Sequence, residues 1–247
     1  MMNREGQILR PSDTRETAEI IQTALAEKRP IEVLGNGTKR GLGRPVDTRN
    51  SVSLSGISGI TLYQQEELVV TAGDGTSFKE IRERLESNRQ HLAFEPINFG
   101  YFLNGENDFG SAGGQVACNI SGPRRFKVGS VRDHVLGFRG VNGRGEIIKS
   151  GGNVVKNVTG YDLSKLICGS YGTLVALTEI TFKVLPAPEE CKTLVIHNQK
   201  LEFAAGFLDK ATSSSNDISG AIFLPTKLLV NQSLSTSPPS PGVSLCL

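Results

Sequence analysis

Two glycine-rich stretches, far apart in the chain, carry residue types that suit the binding of a phosphorylated ligand. The first covers residues 34–43, with the sequence LGNGTKRGLG, and the second covers residues 110–125, with the sequence GSAGGQVACNISGPRR. Glycine lets the backbone approach a ligand closely, and successive amides in such a loop form a concave surface that donates hydrogen bonds to an anion. A single loop of this kind could also be a tight connection between strands. Two separated loops suit a ligand with a diphosphate in its middle.

Basic side chains in and after these loops are further candidates for anion binding. Lys39, Arg40 and Arg44 could support a phosphate, or they could simply be solvated. A second group of basic residues lies at positions 124–132. It includes only one aromatic residue, and the chain has no large excess of basic residues, so nucleic-acid binding is not expected. We interpret that group as contacts to a partner subunit or to a cofactor: Arg124, Arg125, Lys127 and Arg132.

The histidines and cysteines do not form a recognisable metal site. His91, His134 and His197 are dispersed and lack the spacing of a metal-binding helix. The 4 cysteines contain no CxxC pair, which indicates reduced thiols and argues against a disulfide framework, a zinc site or an iron–sulfur cluster. We therefore predict no metal site, and the catalytic residues remain unknown from the sequence.

The composition is typical of a soluble protein with one large domain or two small ones. The 247 residues include 27 Lys and Arg against 25 Asp and Glu, so the net charge of +2 creates no field that would gather nucleic acid or an anionic membrane. No apolar run approaches the roughly 18 residues of a membrane span, and the first residues lack an apolar signal region. We expect a cytoplasmic protein without a direct membrane span.

Hydrophobic periodicity predicts a mixture of helices and strands around the first loop. A helix of about 15 residues begins at a cap that Ser12 or Asp13 could provide, with Glu16, three residues after Asp13, completing a capping box. A strand over residues 31–34 leads into the first loop. The glycine after Gly37 comes at Gly41, one place late for the GxGxxG fingerprint, and no helical pattern follows, so the loop is not of the Rossmann type.

The rest of the chain continues this mixed pattern. We predict further strands at residues 52–54, 60–62 and 68–72, a helix capped by Ser77, a loop over 99–109, a hairpin over 135–149 and a short helix over 161–167. Alternating apolar residues predict a strand around 180–184. The Pro-Ala-Pro at 186–188 marks a domain boundary, after which we predict a strand at 193–197, a helix at 201–211 and a strand at 218–224.

The order of these motifs resembles the flavoprotein superfamily of vanillyl-alcohol oxidase and para-cresol methylhydroxylase (PCMH) type, whose FAD-binding domain carries two similar glycine loops. The sequences NVTGYDLSKL at 157–166 and GSYGTL at 169–174 look like its glycolate oxidase branch. The resemblance is strongest to the FAD-binding E subunits of bacterial glycolate oxidases, through GRPV at 43–46, VAC at 116–118, GPRR at 122–125 and GSVRD at 129–133. It covers residues 8–188 well and thins out by Pro225.

The resemblance implies an α+β fold with a PCMH-type FAD-binding domain over residues 1–188. That domain would consist of two α+β subdomains, about 1–72 and 73–188, with FAD in the groove between them. Family members continue into a substrate-side cap domain, of which residues 189–225 would be a truncated fragment. Residues 226–247 are rich in Ser, Thr and Pro, and we predict a disordered tail there.

The resemblance also implies which residues bind FAD. The first loop would bind the diphosphate from one side and the second from the other, while further residues would lie near the flavin or offer it their backbone. These residues are, in that order, Gly35, Asn36, Gly37, Thr38 and Lys39; Gly113 and Gly114; Asn119, Ser121 and Gly122; and Val175. Members that attach flavin covalently through the first loop use a histidine there. Because no histidine precedes His91, the expected FAD is non-covalent.

Three residues near these motifs have two interpretations each. Tyr161 and Tyr171 could wall the flavin or pack in the core, and Cys118 could contact the flavin or serve as a small buried apolar residue. The sequence does not decide between these roles.

The function implied by the resemblance is that of an FAD-dependent oxidoreductase subunit acting on a small 2-hydroxy acid such as glycolate. FAD would accept a hydride equivalent from the substrate, or relay electrons from a second flavin subunit toward an iron–sulfur subunit. The partner subunits could also associate the chain with a membrane. A second hypothesis is a degenerate, non-catalytic subunit that acts only in complex assembly. A third, a reductase of the UDP-sugar enolpyruvyl type, would need an NADPH and substrate domain that the sequence does not show.

Overall fold

A computed structural model of the chain describes residues 8–44, 50–105, 108–152, 161–197, 201–224 and 242–246. The chain divides into two compact units, Met1–Ala187 and Pro188–Leu247. This division lies beside the boundary that the Pro-Ala-Pro sequence predicts. Both units combine helices with strands, which confirms the predicted α+β class. None of the helices in the described part of the chain has the length and hydropathy that crossing a bilayer requires.

The first unit contains seven short helices and ten strands in its described residues. The helices are α1 (Thr14–Ala26), α2 (Phe78–Glu86), α3 (Phe99–Asn104), α4 (Ala112–Cys118), α5 (Arg125–Val128), α6 (Val131–His134) and α7 (Leu163–Ile167). The strands are β1 (Ile8–Leu9), β2 (Glu32–Leu34), β3 (Ser51–Ser53), β4 (Ile60–Gln64), β5 (Val69–Gly73), β6 (Gln90–His91), β7 (Val135–Asn142), β8 (Ile147–Gly151), β9 (Val175–Lys183) and β10 (Leu185–Pro186).

Three sheets organise the first unit. A five-stranded antiparallel sheet has the order β4-β5-β9-β7-β8, and a three-stranded parallel sheet has the order β1-β3-β2. The strands β6 and β10 form an antiparallel pair. The first glycine loop leaves the parallel sheet after β2, while the second begins before α4, which packs against β5 and β9 of the larger sheet. The two loops therefore start from different sheets.

Capping residues fix where the first two long helices begin. Asp13 caps α1 by accepting a hydrogen bond from the amide of Glu16 at 2.8 Å, as the sequence predicts. The Glu16 carboxylate accepts a hydrogen bond from the amide of Ser12 at 2.6 Å. In the predicted capping box it would accept from the amide of Asp13, one residue later. Ser77 caps α2 in the same way through the amide of Lys79. Local polar groups thus define both helix starts.

Apolar side chains on α2 anchor the main hydrophobic core. Phe78, Ile81 and Leu85 are fully buried, as their helical spacing predicts. They pack with Phe94 and Phe182 in a cluster that also takes residues from α4, α6 and α7 and from β5, β7 and β9. A smaller cluster joins α1 to the parallel sheet. The helix α4, which belongs to the second glycine loop, is therefore held by the main core.

The structure differs from the sequence prediction at two places in the first unit. Residues 99–109 do not form a continuous loop, because α3 begins at the Asn98 cap and ends at Gly105, whose φ of 74° closes the helix. The predicted subdomain boundary near residue 72 falls inside β5. Since β5 forms a ladder with β9, the strands β4 and β5 belong to the sheet of the later residues.

The second unit contains β11 (Thr193–His197), α8 (Leu201–Thr212), β12 (Gly220–Leu224) and β13 (Gly242–Cys246). Its strands form an antiparallel sheet of order β11-β13-β12, and Ala204 of α8 is buried. The central strand β13 lies within the predicted disordered tail. Its segment GVSLC places apolar residues at alternate positions, which favours a strand despite the Ser- and Pro-rich surroundings. Residues 226–241 lie outside the described residues.

Candidate functional site

The two glycine loops meet in one cavity of the first unit, with a volume of about 390 Å³. Residues of the first loop line one side of this cavity, and residues of α4 line the other. Asn36 and Gly113, which are far apart in sequence, both contribute to the lining. The cavity is therefore a site where one ligand can contact both loops.

Lys39 joins the two loops. Its Nζ atom donates hydrogen bonds to the Thr38 hydroxyl and to the carbonyl of Phe109, each at 3.3 Å. Phe109 directly precedes the second loop, so the amine of the first loop lies against the start of the second. Thr38 is itself buried, with only 6% of its surface exposed. A cation and a hydroxyl thus lie together where an anionic ligand would contact both loops.

The second loop enters α4 through the cap residue Ser111. The Ser111 hydroxyl accepts a hydrogen bond from the Gly114 amide at 3.1 Å, which fixes the start of the helix. A Cβ atom on Gly35 would overlap this hydroxyl. Only glycine at position 35 allows the first loop to lie this close to α4.

Gly113 of α4, like Gly35 of the first loop, lies where a Cβ atom would overlap a neighbouring side chain. A Cβ atom on Gly113 would overlap the carboxyl group of Asp74, and the Gly113 amide donates to the Asp74 carbonyl at 3.0 Å. Asp74 follows β5 directly and lines the cavity. The turn after β5 therefore packs against the glycine face of α4, and both are held at the cavity.

Burial shifts the pKa values of three groups that line the cavity. Burial lowers the pKa of the Lys39 amine, although Cys118 and Asp108 partly offset the effect. Burial raises the pKa of the Cys118 thiol, with Lys39 acting in the opposite direction. Burial also raises the pKa of the Asp74 carboxyl to about 8. Asp74 is therefore protonated at neutral pH.

The remaining basic residues of the site have different roles. Arg40 forms a two-pronged ion pair with Glu32, with N–O distances of 3.1 and 2.8 Å, so its charge is already matched by a carboxylate. Arg44 lines the cavity. The later basic residues do not contribute to the lining, and Arg124 pairs with Glu95 at 3.6 Å.

Apolar residues complete the cavity wall. Val33, Leu54, Val175 and Leu177 all contribute, and Cys118 lies beside them. Tyr171 also lines the cavity and is 57% exposed, so it is not a core residue. Tyr161 is 90% exposed and lies outside the lining. The cavity combines a polar end at the loops with apolar walls, a combination typical of sites for nucleotide cofactors.

Most of the predicted cofactor-binding residues line this one cavity. They are Gly35, Asn36, Gly37, Thr38, Lys39, Gly113, Gly114 and Val175. Asn119, Ser121 and Gly122 are not among the lining residues. The Asn119 side chain accepts from the Arg132 amide and the Ser121 hydroxyl accepts from the Val131 amide, each at 3.0 Å. Both side chains therefore hold the start of α6, while Gly122 donates to the Phe94 carbonyl.

Asp74 and Ser111 line the cavity but are not among the site residues that the sequence predicts. An aspartate between two glycines after a strand looks like an ordinary turn residue, because turns commonly contain Gly and Asp. The one local signal is that the turn leads directly into the helix capped by Ser77. The packing of Asp74 against Gly113 depends on residues about forty positions away along the chain, which no local pattern encodes.

Comparison with known proteins assigns a family to the chain that forms this cavity. The model of the FAD binding domain family matches residues 6–151, more than half of the chain. Glycolate oxidase subunit GlcE of Escherichia coli (strain K12) is 44% identical over 176 residues, which cover 71% of this chain and 48% of that protein. A D-lactate dehydrogenase of Anaerostipes hadrus is 34% identical over 198 residues, which cover 79% of this chain and 39% of that protein. The chain thus spans about half or less of the length of these relatives.

A solved structure supports the fold. An alkyldihydroxyacetonephosphate synthase matches with a TM-score of 0.76 over 97% of this chain and 46% of that protein. The sequences are 17% identical, so this likeness concerns the fold alone.

Proposed function

The chain belongs to the FAD-binding domain family, and from this premise we propose that it is the FAD-binding subunit of a glycolate oxidase or dehydrogenase complex. The relatives with the printed names glycolate oxidase subunit and D-lactate dehydrogenase support this proposal. Glycolate and lactate are both small 2-hydroxy acids, so a small 2-hydroxy acid is the proposed substrate class. The convergence of the two glycine loops on one cavity is the observation that carries the proposal.

The residues present fit FAD. Gly35 and Gly113 lie where any side chain would collide with Ser111 or Asp74, so glycine at these positions lets the two loops pack closely together at the cavity. Lys39 and Thr38 would hold the diphosphate at the polar end, together with the loop residues Gly35–Gly37 and Gly113–Gly114. The apolar walls, including Val175, would enclose the flavin ring. No histidine lies in the first loop, which favours non-covalent binding.

The protein's contribution to the chemistry is binding and orientation. Bound FAD supplies the acceptor of a hydride equivalent. Among the described residues the lining carries no histidine, the carboxylate of Glu32 is paired with Arg40, and burial raises the pKa of Asp74 to about 8, which keeps it protonated at neutral pH. We therefore assign no catalytic base within this cavity. Substrate oxidation or electron relay would then depend on neighbouring subunits, which we propose to be a second flavin subunit and an iron–sulfur subunit. The word subunit in the name of the GlcE relative supports such an assembly.

Cofactor analysis of the purified chain tests the binding step. We expect the absorption spectrum of an oxidised flavin, and we expect acid to release FAD into the supernatant, because no covalent bond retains it. A folded, colourless protein that does not take up added FAD would contradict the proposal and favour a role in complex assembly only.

Reconstitution tests the activity. The chain should support glycolate-dependent reduction of a dye when it is combined with its partner subunits. The double variant Gly113→Val/Gly114→Val should lose this activity together with its flavin. Equal activity without the chain would contradict a role in oxidation, and NADPH oxidation by the purified flavoprotein would favour a reductase instead.

A further inference from the structure

Asp74 is a buried carboxylic acid between the two glycine loops. Only 4% of its surface is exposed, and its Oδ2 atom has no hydrogen-bond partner among the described residues. One side of the carboxyl group lies against Gly113, and Oδ2 is 3.4 Å from the position of a Cβ atom on Gly35. Since a buried polar atom without a partner costs free energy, this position calls for a functional explanation.

The surroundings of Asp74 favour its neutral form. Burial raises the pKa of this carboxyl to about 8, so the group carries its proton at neutral pH. The ionisable or charged side chains on the elements around it are Lys39 and Arg40 of the first loop, Arg44 directly after that loop, Cys118 of α4, and Glu179 and Lys183 of β9. Lys39 donates to Thr38 and Phe109, Arg40 pairs with Glu32, and Glu179 accepts from Thr61. Lys39, Arg40 and Glu179 therefore bond to groups other than the Asp74 carboxyl.

A protonated carboxyl and an ionised one would act in opposite ways on an anionic ligand. The protonated form has an O–H group that can donate a hydrogen bond, whereas the carboxylate only accepts and carries a negative charge. A carboxylate beside a diphosphate would repel it in a region of low dielectric constant. The state of Asp74 therefore matters for any diphosphate held between the loops.

We propose that Asp74 is a nucleotide-binding residue that works in its protonated form, donating a hydrogen bond from its carboxyl O–H group to a phosphoryl oxygen of the bound dinucleotide, and that its ionisation releases the nucleotide. This inference rests on the proposed function, because it takes FAD as the ligand. It adds a binding residue that the glycine-loop motifs do not contain, and it makes cofactor retention dependent on pH.

The expected pH dependence follows from linkage. If only the protonated form binds FAD, the Kd stays nearly constant below the pKa of Asp74 and rises with pH above it. With a pKa of about 8, the Kd should increase about tenfold between about pH 7 and about pH 9. Binding at about pH 8.5 should also take up most of one proton from the buffer, because free Asp74 is mainly ionised there.

The test measures FAD affinity of the full chain by calorimetry between about pH 6.5 and about pH 9.5, in two buffers that differ in their ionisation enthalpy. The wild type should show the rise in Kd and the proton uptake. Asp74→Asn keeps a hydrogen-bond donor of the same shape but cannot ionise. Its Kd should stay within about threefold of the wild-type value at neutral pH, remain flat with pH and show no proton uptake.

Two further variants separate Asp74 from its neighbours. Asp74→Leu removes the donor and should weaken binding about tenfold at neutral pH, again without a pH dependence. Lys39→Met removes an amine whose positive charge favours the diphosphate and which loses that charge at alkaline pH. It should weaken binding but retain the rise in Kd above about pH 8. Glu83→Gln, an exposed change on α2, serves as the matched control and should behave as the wild type.

The outcomes distinguish the inference from the function on which it rests. A wild type that binds no FAD at any pH overturns the proposed function and the inference together. A wild type that binds FAD without a pH dependence, or an Asp74→Asn variant that keeps it, overturns the inference alone. If the pH dependence of the Kd disappears in Lys39→Met but not in Asp74→Asn, the titrating group is Lys39. That result would also overturn the inference about Asp74.

Discussion

At the scale of single residues, the site depends on one close contact between a glycine and a carboxylic acid. The backbone of Gly113 lies against Asp74 so closely that a Cβ atom would overlap the carboxyl group. Gly114, the next residue of α4, has more room, because its nearest neighbour would be the Ser111 hydroxyl at 3.2 Å. The two adjacent glycines are therefore not equivalent, although the sequence motif treats them alike.

We predict that Gly113→Ala lowers the free energy of unfolding by about 1–3 kcal/mol, because the buried Asp74 side chain must move. Adding Asp74→Ala to that variant should recover part of the loss, since the second change vacates the overlapping space. Urea unfolding of the two variants measures both effects, and Gly114→Ala serves as the control with a smaller loss. Additive effects of Gly113→Ala and Asp74→Ala would show that the contact does not limit stability.

The raised pKa of Asp74 also predicts how stability depends on pH in the absence of FAD. The carboxyl has a pKa of about 8 in the folded chain, whereas the ordinary pKa of an unperturbed aspartate is 3.8. Between these values the folded state holds a proton that the unfolded state releases. This contribution to stability is fully present below the unfolded pKa and is lost as pH rises toward the folded pKa.

We therefore expect Asp74→Asn to gain stability relative to the wild type as pH rises from about 4 to about 8, with no further change above that range. Comparing the two proteins at each pH cancels the opposite contribution of His134, whose pKa burial lowers. Urea midpoints across this range measure the difference. Parallel curves for the two proteins would contradict a neutral buried Asp74.

At the scale of elements, the link between α4 and α6 explains why three predicted cofactor residues lie outside the cavity. Asn119 ends α4 with a left-handed backbone, at a φ of 49°, and its side chain accepts from an α6 amide. The Ser121 hydroxyl accepts from the preceding amide of that helix, that of Val131, and Ser130 and Asp133 complete a capping box at its start. These side chains position one short helix against another.

We predict that Ser121→Ala costs about 1 kcal/mol of stability and leaves the FAD affinity unchanged, because it removes a bond to the Val131 amide. Thr38→Val, a change inside the cavity, should show the opposite pattern of weaker FAD binding with little loss of stability. Thermal unfolding and FAD titration of both variants measure this contrast. A large loss of FAD affinity in folded Ser121→Ala would instead support the flavin contact that the family resemblance implies.

At the scale of the whole molecule, the described cavity belongs entirely to the first unit. Its lining comes from β2 and the loop after it, from Leu54, from the turn after β5, from Ser111 and α4, and from the segment that leads into β9 together with the start of that strand. The second unit has its own small core around Ala204 of α8. Binding of a nucleotide in this cavity should therefore stabilise the first unit selectively.

Hydrogen exchange with and without FAD tests this expectation. FAD should slow amide exchange in peptides that cover residues 34–44 and 110–118, because bound ligand suppresses local opening. Peptides that cover residues 201–212 and 220–224 should exchange at unchanged rates. Equal protection in both sets of peptides would show that the cofactor also acts on the second unit.

The sequence by itself determined the features that depend on neighbouring residues. Helix starts at Asp13 and Ser77, the buried face of α2, the hairpin of β7 and β8 and the glycine content of both loops all follow from local patterns. The family resemblance indicated FAD as the cofactor and the two glycine loops as the segments that bind its diphosphate. Such features are predictable because caps, turns and periodicity involve residues a few positions apart.

Only the tertiary structure decided which of these residues share one site. The loops approach each other because two different sheets position them, and β5, which contains residue 72, pairs with the distant strand β9. The neutral state of Asp74 has the same origin. Removal of its carboxyl group from water depends on Gly35 and Gly113. These two residues are separated from it along the chain, and burial is a property of the folded surroundings rather than of the local sequence.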